Sequence, residues 1–413
     1  MNDQTAHQEV EPAASPMLPE VTLKPRRALP FFGRHPWVFA GAIRSLCGKP
    51  ETGDEVLLRS SQGEFIARGL YNPESNIRVR LYCWDEAVPI DAAFLSKRLD
   101  AALELRESFV PRTSDNSARR LVFSESDGIS GLTVDQYEDH LLIQLTSAAL
   151  QRHLDAIVTT LRDRLSPAGI WLRTEKGIRE SEGLDLRDGL IDGVAPPRPL
   201  FIVENGIRYG VDVSEGQKTG FFIDQRENRT AVAKYVRNHR VLDMFCYSGG
   251  FGLNAVVNGG ARSVRAVDVS EAALTLARAN AELNEVSEKF QFEKSDAYQA
   301  LERLADAGEQ FDTVILDPPK MARHRKGLDR ALRGYFSLNQ LALRVLAPGG
   351  LLVTCSCSGH VDRPLFEGVL AKVATDCNRP LQVLEARGAG PDHPISVHCT
   401  ENSYLKCFLC RVG

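Results

Sequence analysis

The tightest constraint on this chain is an alternation of two hydrophobic periods over its C-terminal half. From about residue 206, apolar runs of strand length recur at 240–245 (RVLDMF), 263–269 (SVRAVDV), 290–294 (FQFEK), 311–317 (FDTVILD) and 349–356 (GGLLVTCS). Segments with helical spacing accompany them at 251–258, 271–284, 297–307, 329–346 and 362–376. Regular strand–helix alternation predicts an α/β fold, a parallel sheet with helices on both faces. In such a sheet ligands bind beyond the carboxyl ends of the strands. The loops after these runs are therefore where functional residues are expected.

A chain of 413 residues exceeds one ordinary core. Residues 21–92 carry short β-like runs (EVLLRS, EFIARGLY, IRVRLYCW) punctuated by Gly53, Asp54 and Gly63, which predicts a small barrel or sandwich. Residues 93–205 follow as a connecting helix and a small α+β domain. In the helix Phe94, Leu95, Leu99, Leu103 and Leu105 recur at helical spacing before Pro111. The domain has strand runs at 120–126, 131–137, 140–146, 169–174 and 199–206 around one helix at 150–165. Residues 206–413 form the third domain. Residues 1–20, with Asp3, Glu9, Glu11 and Glu20 and no Lys or Arg, read as a disordered acidic tail.

Those four acids equal the whole-chain excess of 54 acids over 50 bases, so the remainder is about neutral. Two basic clusters stand out: Lys24, Arg26, Arg27, Arg34 and His35, and Arg323, His324, Arg325, Lys326, Arg330 and Arg333. Clustering of this kind is what nucleic-acid binding needs, although a solvated face explains either cluster alone. No run approaches the roughly 20 apolar residues that span a bilayer, and the N-terminus lacks the basic start and apolar stretch of a signal peptide. An odd count of nine scattered cysteines fits reduced thiols in a cytoplasmic protein. Cys407 and Cys410 sit inside SYLKCFLCRV, which reads as a buried strand rather than a metal site, so no metal is expected.

The chemistry-bearing residues follow the strands. Cys246–Gly252 (CYSGGFG) is a glycine turn between a strand and a helix, which lets a ligand approach the backbone. Residues 250–255 also satisfy GxGxxA, and Asp268 closes the next strand where an acid binds ribose hydroxyls. Nicotinamide and adenosylmethionine enzymes both fit these features. Asp296 is placed to accept from an adenine amino group or to cap the helix after it. Asp317-Pro318-Pro319-Lys320 makes a rigid shelf at the end of the fourth strand, with an acid able to contact a planar base. Lys320 stands where enzymes that methylate exocyclic amines often carry a stacking aromatic. The fifth strand ends in Cys355-Ser356-Cys357. A thiolate adding to carbon 6 of cytosine makes carbon 5 nucleophilic, and that route needs a cysteine at a strand end with an acid nearby. Upstream, Asp224 and Glu227 have capping-box spacing, and the aromatics of KTGFF are expected to cover a cofactor.

Taken together, QKTGFFIDQREN, LDMFCYSGGFG, AVDVS, LDPPK and CSCSG resemble the motifs of bacterial 23S ribosomal RNA large-subunit cytosine-5 methyltransferases of the I type. RHPWVFAGAI and FIARGLYNPESNIRVRLYCW resemble that family's PUA domain, and the similarity runs from about residue 21 onward. The resemblance implies an N-terminal PUA domain, a central α+β domain and a class I, Rossmann-like methyltransferase domain. It also implies S-adenosylmethionine as cofactor, 23S ribosomal RNA as partner, no membrane, and a homodimer. Carried over by motif, Cys357 is the nucleophile, with Cys355 second, and Asp317 is the base-contacting acid. Lys218, Thr219, Phe221, Asp224, Gln225, Asp243, Gly249, Asp268 and Asp296 line the cofactor site. A noncatalytic RNA-binding factor, a guanine methylase and a nicotinamide oxidoreductase are the competing readings.

Overall fold

The computed structural model describes residues 18–174, 176–186, 188–213, 220–322 and 324–413. The chain divides into two compact units, Met1–Ile90 and Asp91–Gly413.

In the first unit, β1 (Glu20–Leu23), helix α1 (Leu29–Phe32), β2 (Trp37–Phe39), β3 (Ile43–Cys47), β4 (Glu55–Arg59), β5 (Phe65–Tyr71) and β6 (Ile77–Cys83) build a six-stranded sheet in the order β2-β6-β5-β4-β1-β3. Alternate residues Val21, Leu23, Val56 and Leu58 turn into one core with Phe31, Val38 and Val79, as a half-buried sheet requires. Glu20 belongs to this sheet rather than to a tail, since it pairs with Cys47 and its carboxylate accepts from Arg59 Nε at 2.6 Å.

The second unit opens with α2 (Ala92–Phe109), capped by Asp91, whose carboxylate accepts from Phe94 N at 2.8 Å. Its buried face is Leu95, Leu99, Ala102 and Arg106. Next come β7 (Ala118–Phe123), β8 (Leu132–Tyr137), β9 (His140–Leu145), α3 (Leu154–Leu165), β10 (Gly169–Arg173), α4 (Lys176–Glu182) and β11 (Gly189–Gly193). They form a five-stranded sheet in the order β11-β10-β9-β8-β7. The 199–206 run is not part of it: β12 (Leu200–Glu204) pairs with β13 (Ile207–Val211) in a separate hairpin, because the two are joined by a tight turn at Asn205 and Gly206, both with positive φ.

The remainder is α5 (Arg226–Ala233), β14 (Arg240–Met244), α6 (Gly250–Val257), β15 (Ser263–Asp268), α7 (Glu271–Leu283), β16 (Phe290–Lys294), α8 (Ala297–Asp306), β17 (Phe311–Leu316), α9 (Leu328–Val345), β18 (Leu346–Ser356), α10 (Arg363–Asp376), β19 (Leu381–Arg387) and β20 (Lys406–Val412). Their seven strands run in the order β16-β15-β14-β17-β18-β20-β19. β14 through β18 are parallel, and β20 is antiparallel to both of its neighbours. One face packs on α8, α9 and α10 through Leu301, Leu338 and Phe366; the other packs on α5, α6 and α7 through Val232, Phe251 and Leu274. Burial on both faces explains the unbroken apolar runs of these strands. Cys407 joins one of the two cores and Cys410 the other. An odd spacing on a strand sends them to opposite faces, so the pair cannot chelate one ion. No helix among the described residues is long and apolar enough to cross a membrane.

A buried polar network ties the β12–β13 hairpin and the central domain to the α/β part. Arg229 of α5 donates to Glu204 at 2.6 Å, and Arg226 lies 3.3 Å from Asp392. Arg106 of α2 donates to Asp127 at 2.6 Å and to the Asp392 carbonyl at 2.9 Å. Burial pushes Glu204 up while Arg229 pulls it back. Burial also acts to raise Asp392, but His393 and Arg226 hold its carboxyl well below the usual range. Removing one partner of such a pair strands the other charge out of water. Glu204→Ala is therefore expected to lower the unfolding free energy by about 3–5 kcal/mol in urea denaturation. Glu204→Gln, which keeps a hydrogen-bond acceptor, should lose less.

Candidate active site

The carboxyl ends of β14, β15, β17 and β18 converge, because register sets Val267, Met244, Leu316 and Thr354 level with one another. The next residues carry the polar groups. Asp268 accepts from Tyr247 N at 3.0 Å through one oxygen and from Ser270 N at 2.9 Å through the other. These bonds fix the carboxylate and leave lone pairs for a ligand. Asp243, inside β14, accepts from Gly252 N at 2.9 Å and is buried. Burial pushes its carboxyl up to about 7; the Gly252 amide works against this, while Asp317 and Asp268 add to it. Gly249 caps α6 with φ of 80°, the left-handed region that favours glycine. Asp296 accepts from Tyr298 N and Gln299 N at 2.9 and 3.2 Å, so it caps α8 and remains exposed at the strand ends.

Other expected cofactor residues stand differently. Phe221 is 1% exposed, packed against Tyr209 and under the Arg229 guanidinium, so it is a core residue and not a cover. Its neighbour Phe222 is half-buried and meets Tyr247 of the glycine turn edge-on. Asp224 and Glu227 make no capping box. Residues Ile223–Gln225 form a tight 3₁₀ turn with no side-chain cap. Asp224 instead accepts from the Tyr404 hydroxyl at 2.6 Å, and Glu227 pairs with Arg226 at 3.2 Å. Gln225 is buried and hydrogen-bonded to Asn228 and near Cys355. Lys218 and Thr219 lie outside the described residues.

At the other side of the crevice, Cys357 follows the last residue of β18 and is half-buried, with its sulfur 3.9 Å from the Pro318 carbonyl. Pro318 directly follows Asp317, so the thiol lies against the backbone of the shelf that carries this carboxylate. Cys355 is fully buried and faces Cys407 across the β18–β20 ladder, and both that contact and burial raise its thiol well above the ordinary value. A buried thiol of this kind is a small core residue.

Sequence reasoning missed the residues that hold the thiol in place. The buried Ser358 hydroxyl accepts from Met321 N and Ala322 N, each at 3.1 Å, and meets the Tyr335 hydroxyl of α9 at 3.1 Å. A hydroxyl has two acceptor lone pairs and one donor. With both lone pairs engaged by amides, Ser358 donates to Tyr335. Lys406 of β20 is 3% exposed and donates to Ser358 O at 2.8 Å and Tyr404 O at 2.7 Å. A serine in a run of small polar residues and a lysine in an apolar strand gave only the second of these a visible signal.

An S-adenosylmethionine-dependent methyltransferase family model matches residues 126–395, and a PUA-like domain model matches residues 21–84. Ribosomal RNA large subunit methyltransferase I of Photobacterium profundum is 43% identical over 381 residues, covering 92% of this chain and 96% of that one. The protein of the same name from Tolumonas auensis is 42% identical over 393 residues, covering 95% and 98%. Among solved structures, a methyltransferase complexed with SAH superposes with a TM-score of 0.83 at 20% identity, covering 96% of this chain and all of the other. A SAM-dependent methyltransferase from Streptococcus mutans superposes with a TM-score of 0.82 at 19% identity over the same shares. These two are likenesses of fold. With identity above 40% sustained over nearly the full length of both chains, this protein belongs to the ribosomal RNA large subunit methyltransferase I family.

Proposed function

We propose that this chain methylates carbon 5 of a cytosine in 23S ribosomal RNA, with Cys357 as covalent nucleophile and Asp317 as the acid that contacts the base. The observation that carries the reading is the Cys357 sulfur at the Pro318 carbonyl, one residue past Asp317, at the carboxyl ends of neighbouring parallel strands. The relatives' names supply the substrate class. On the protein's side, a PUA-like domain is an RNA-binding module. Exposed Lys320, His324, Arg325, Lys326, Arg330 and Arg333 also leave the same shelf, suited to phosphates beside a base turned out of its stack.

The crevice fits S-adenosylmethionine, which supplies when bound a methyl group on a sulfonium centre. Asp268, fixed by two backbone amides, is suited to ribose hydroxyls. Asp296 is suited to the adenine amine, and the Gly249 turn lets the ligand approach the backbone. Asp268, joined by Asp243 once it ionises, favours a cation. Cys357 acts on the base: its thiolate forms a bond to carbon 6, and the C5–C6 double-bond electrons move to carbon 5. Asp317, in its protonated form, donates to nitrogen 3 as negative charge builds there. After carbon 5 gains its methyl, its proton leaves to a base, the double bond re-forms and the C6–S bond breaks, returning the thiolate.

Cys357→Ala should keep cofactor binding in equilibrium dialysis and lose methylation of ribosomal RNA fragments by at least about a hundredfold, the scale of removing a covalent route. Methylation by this variant at the wild-type rate would sink the assignment. Mass spectrometry of ribosomal RNA from cells lacking the protein should show one 5-methylcytidine missing.

Cofactor affinity should also depend on pH. Without ligand, Asp243 holds its proton up to about pH 7. A cation bound beside it favours the ionised form, so binding releases a proton below that pH. Affinity is then expected to rise about tenfold from about pH 6 to about pH 8, and Asp243→Asn should flatten the profile in isothermal titration calorimetry.

A further inference from the structure

The buried ammonium of Lys406 has no role in the chemistry described so far. Lys406 stands opposite Ser356 in the β18–β20 ladder and is 3% exposed. An ammonium group is almost never buried without a counter-charge, yet among the described residues no carboxylate makes an ion pair with it. Its two hydrogen bonds go to the carbonyls of Ser358 and Tyr404. Those are dipoles, and they use two of its three N–H donors. Ser358 is the residue after Cys357, so the ammonium sits against the turn that carries the thiol.

We propose that Lys406 is a positioning residue for methylation: its remaining N–H and its charge hold the Cys357 sulfur as a thiolate, while its bond to the Ser358 carbonyl fixes the turn. The inference rests on reading Cys357 as the nucleophile. The groups around the two support it. Burial lowers Lys406 to about 8, and Cys357 is the first of the charges that act against this, with Asp362 also raising it and the exposed Lys320 lowering it. From α9 and from the segment before β20, Tyr335 and Tyr404 both sense the Cys357 charge, and burial keeps both phenols protonated. Asp317 approaches from the end of β17. Lys406 is thus a buried cation within electrostatic reach of this sulfur. The thiol proton goes to solvent and Lys406 keeps its own.

The test uses the full chain without RNA. The rate of iodoacetamide alkylation of Cys357 is followed by peptide mass spectrometry from about pH 6 to about pH 10, where an ordinary thiol inflects near ~8.5. We expect the wild-type inflection at least about one unit lower. In Lys406→Met it should move up, slowing alkylation at neutral pH about tenfold for each unit, while Lys406→Arg keeps it low. The pH profile of methylation should move with it. An ordinary wild-type inflection overturns the proposal, whether or not the Met variant folds. So does an inflection unchanged in a Met variant that still binds S-adenosylmethionine. Failure of the covalent reading looks different: Cys357→Ala would then methylate normally, while the thiol titration would remain readable.

Discussion

Four parallel strands are held in register at their carboxyl ends, and everything at the site follows from that register. Val267, Met244, Leu316 and Thr354 are hydrogen-bonded neighbours across β15, β14, β17 and β18. Asp268, Asp317 and Cys355 therefore come next in a row, with Cys357 two residues further along its strand. Side chains on a strand alternate between faces, so a slip of one residue would exchange what points into each core for what does not. The fully buried Val314, Ile315 and Leu316 make such a slip costly. Apolar burial along the strands thus sets the positions of the polar groups at their ends.

The polar groups are then held by hydrogen bonds that cross between elements. Ser358 joins the shelf after β17, helix α9 and the end of β18, and Lys406 joins the same turn to β20. Asp243 and Asp268 are fixed by backbone amides of the glycine turn. A site supported on strand ends keeps its geometry better than one on free loops. The Arg229–Glu204 pair extends the same principle to the β12–β13 hairpin, and the bonds from Arg226 to the Ala118 carbonyl and from Arg120 N to Asp392 extend it to the central sheet, whose strands carry no catalytic motif of their own.

Much of this was legible in the sequence because it is periodic. The strands and helices after residue 240 fall within a residue or two of the apolar pattern, except at the start of β18, since two-sided burial writes a continuous signal. β19 was not legible: it is an edge strand with Val383 and Leu384 exposed, so burial imposes no clean pattern. β11 is five residues with glycine at both ends. β12 reads as strand but not as half of a separate hairpin, because pairing partners leave no local mark, and β13 at Ile207–Val211 was not legible as a strand at all. At the site, strand-terminal acids were visible as departures from apolar runs. Phe221 misled for the converse reason: its spacing beside Phe222 does not reveal which ring turns inward. Tyr335, Ser358 and Tyr404 act through contacts between distant segments, and a single sequence carries no trace of those.

The position of β20 in the sheet has a consequence for how the molecule is made. β20, which follows β18 and β19 in the chain, lies between them rather than at the rim. Until residues 406–412 have left the ribosome, β18 presents an open edge and the two cores lack Cys407, Phe408, Leu409 and Cys410. Synthesis can assemble the ligand-facing half of the sheet early, but the turn bearing Cys357 gains the support of Lys406 only once β20 has been made.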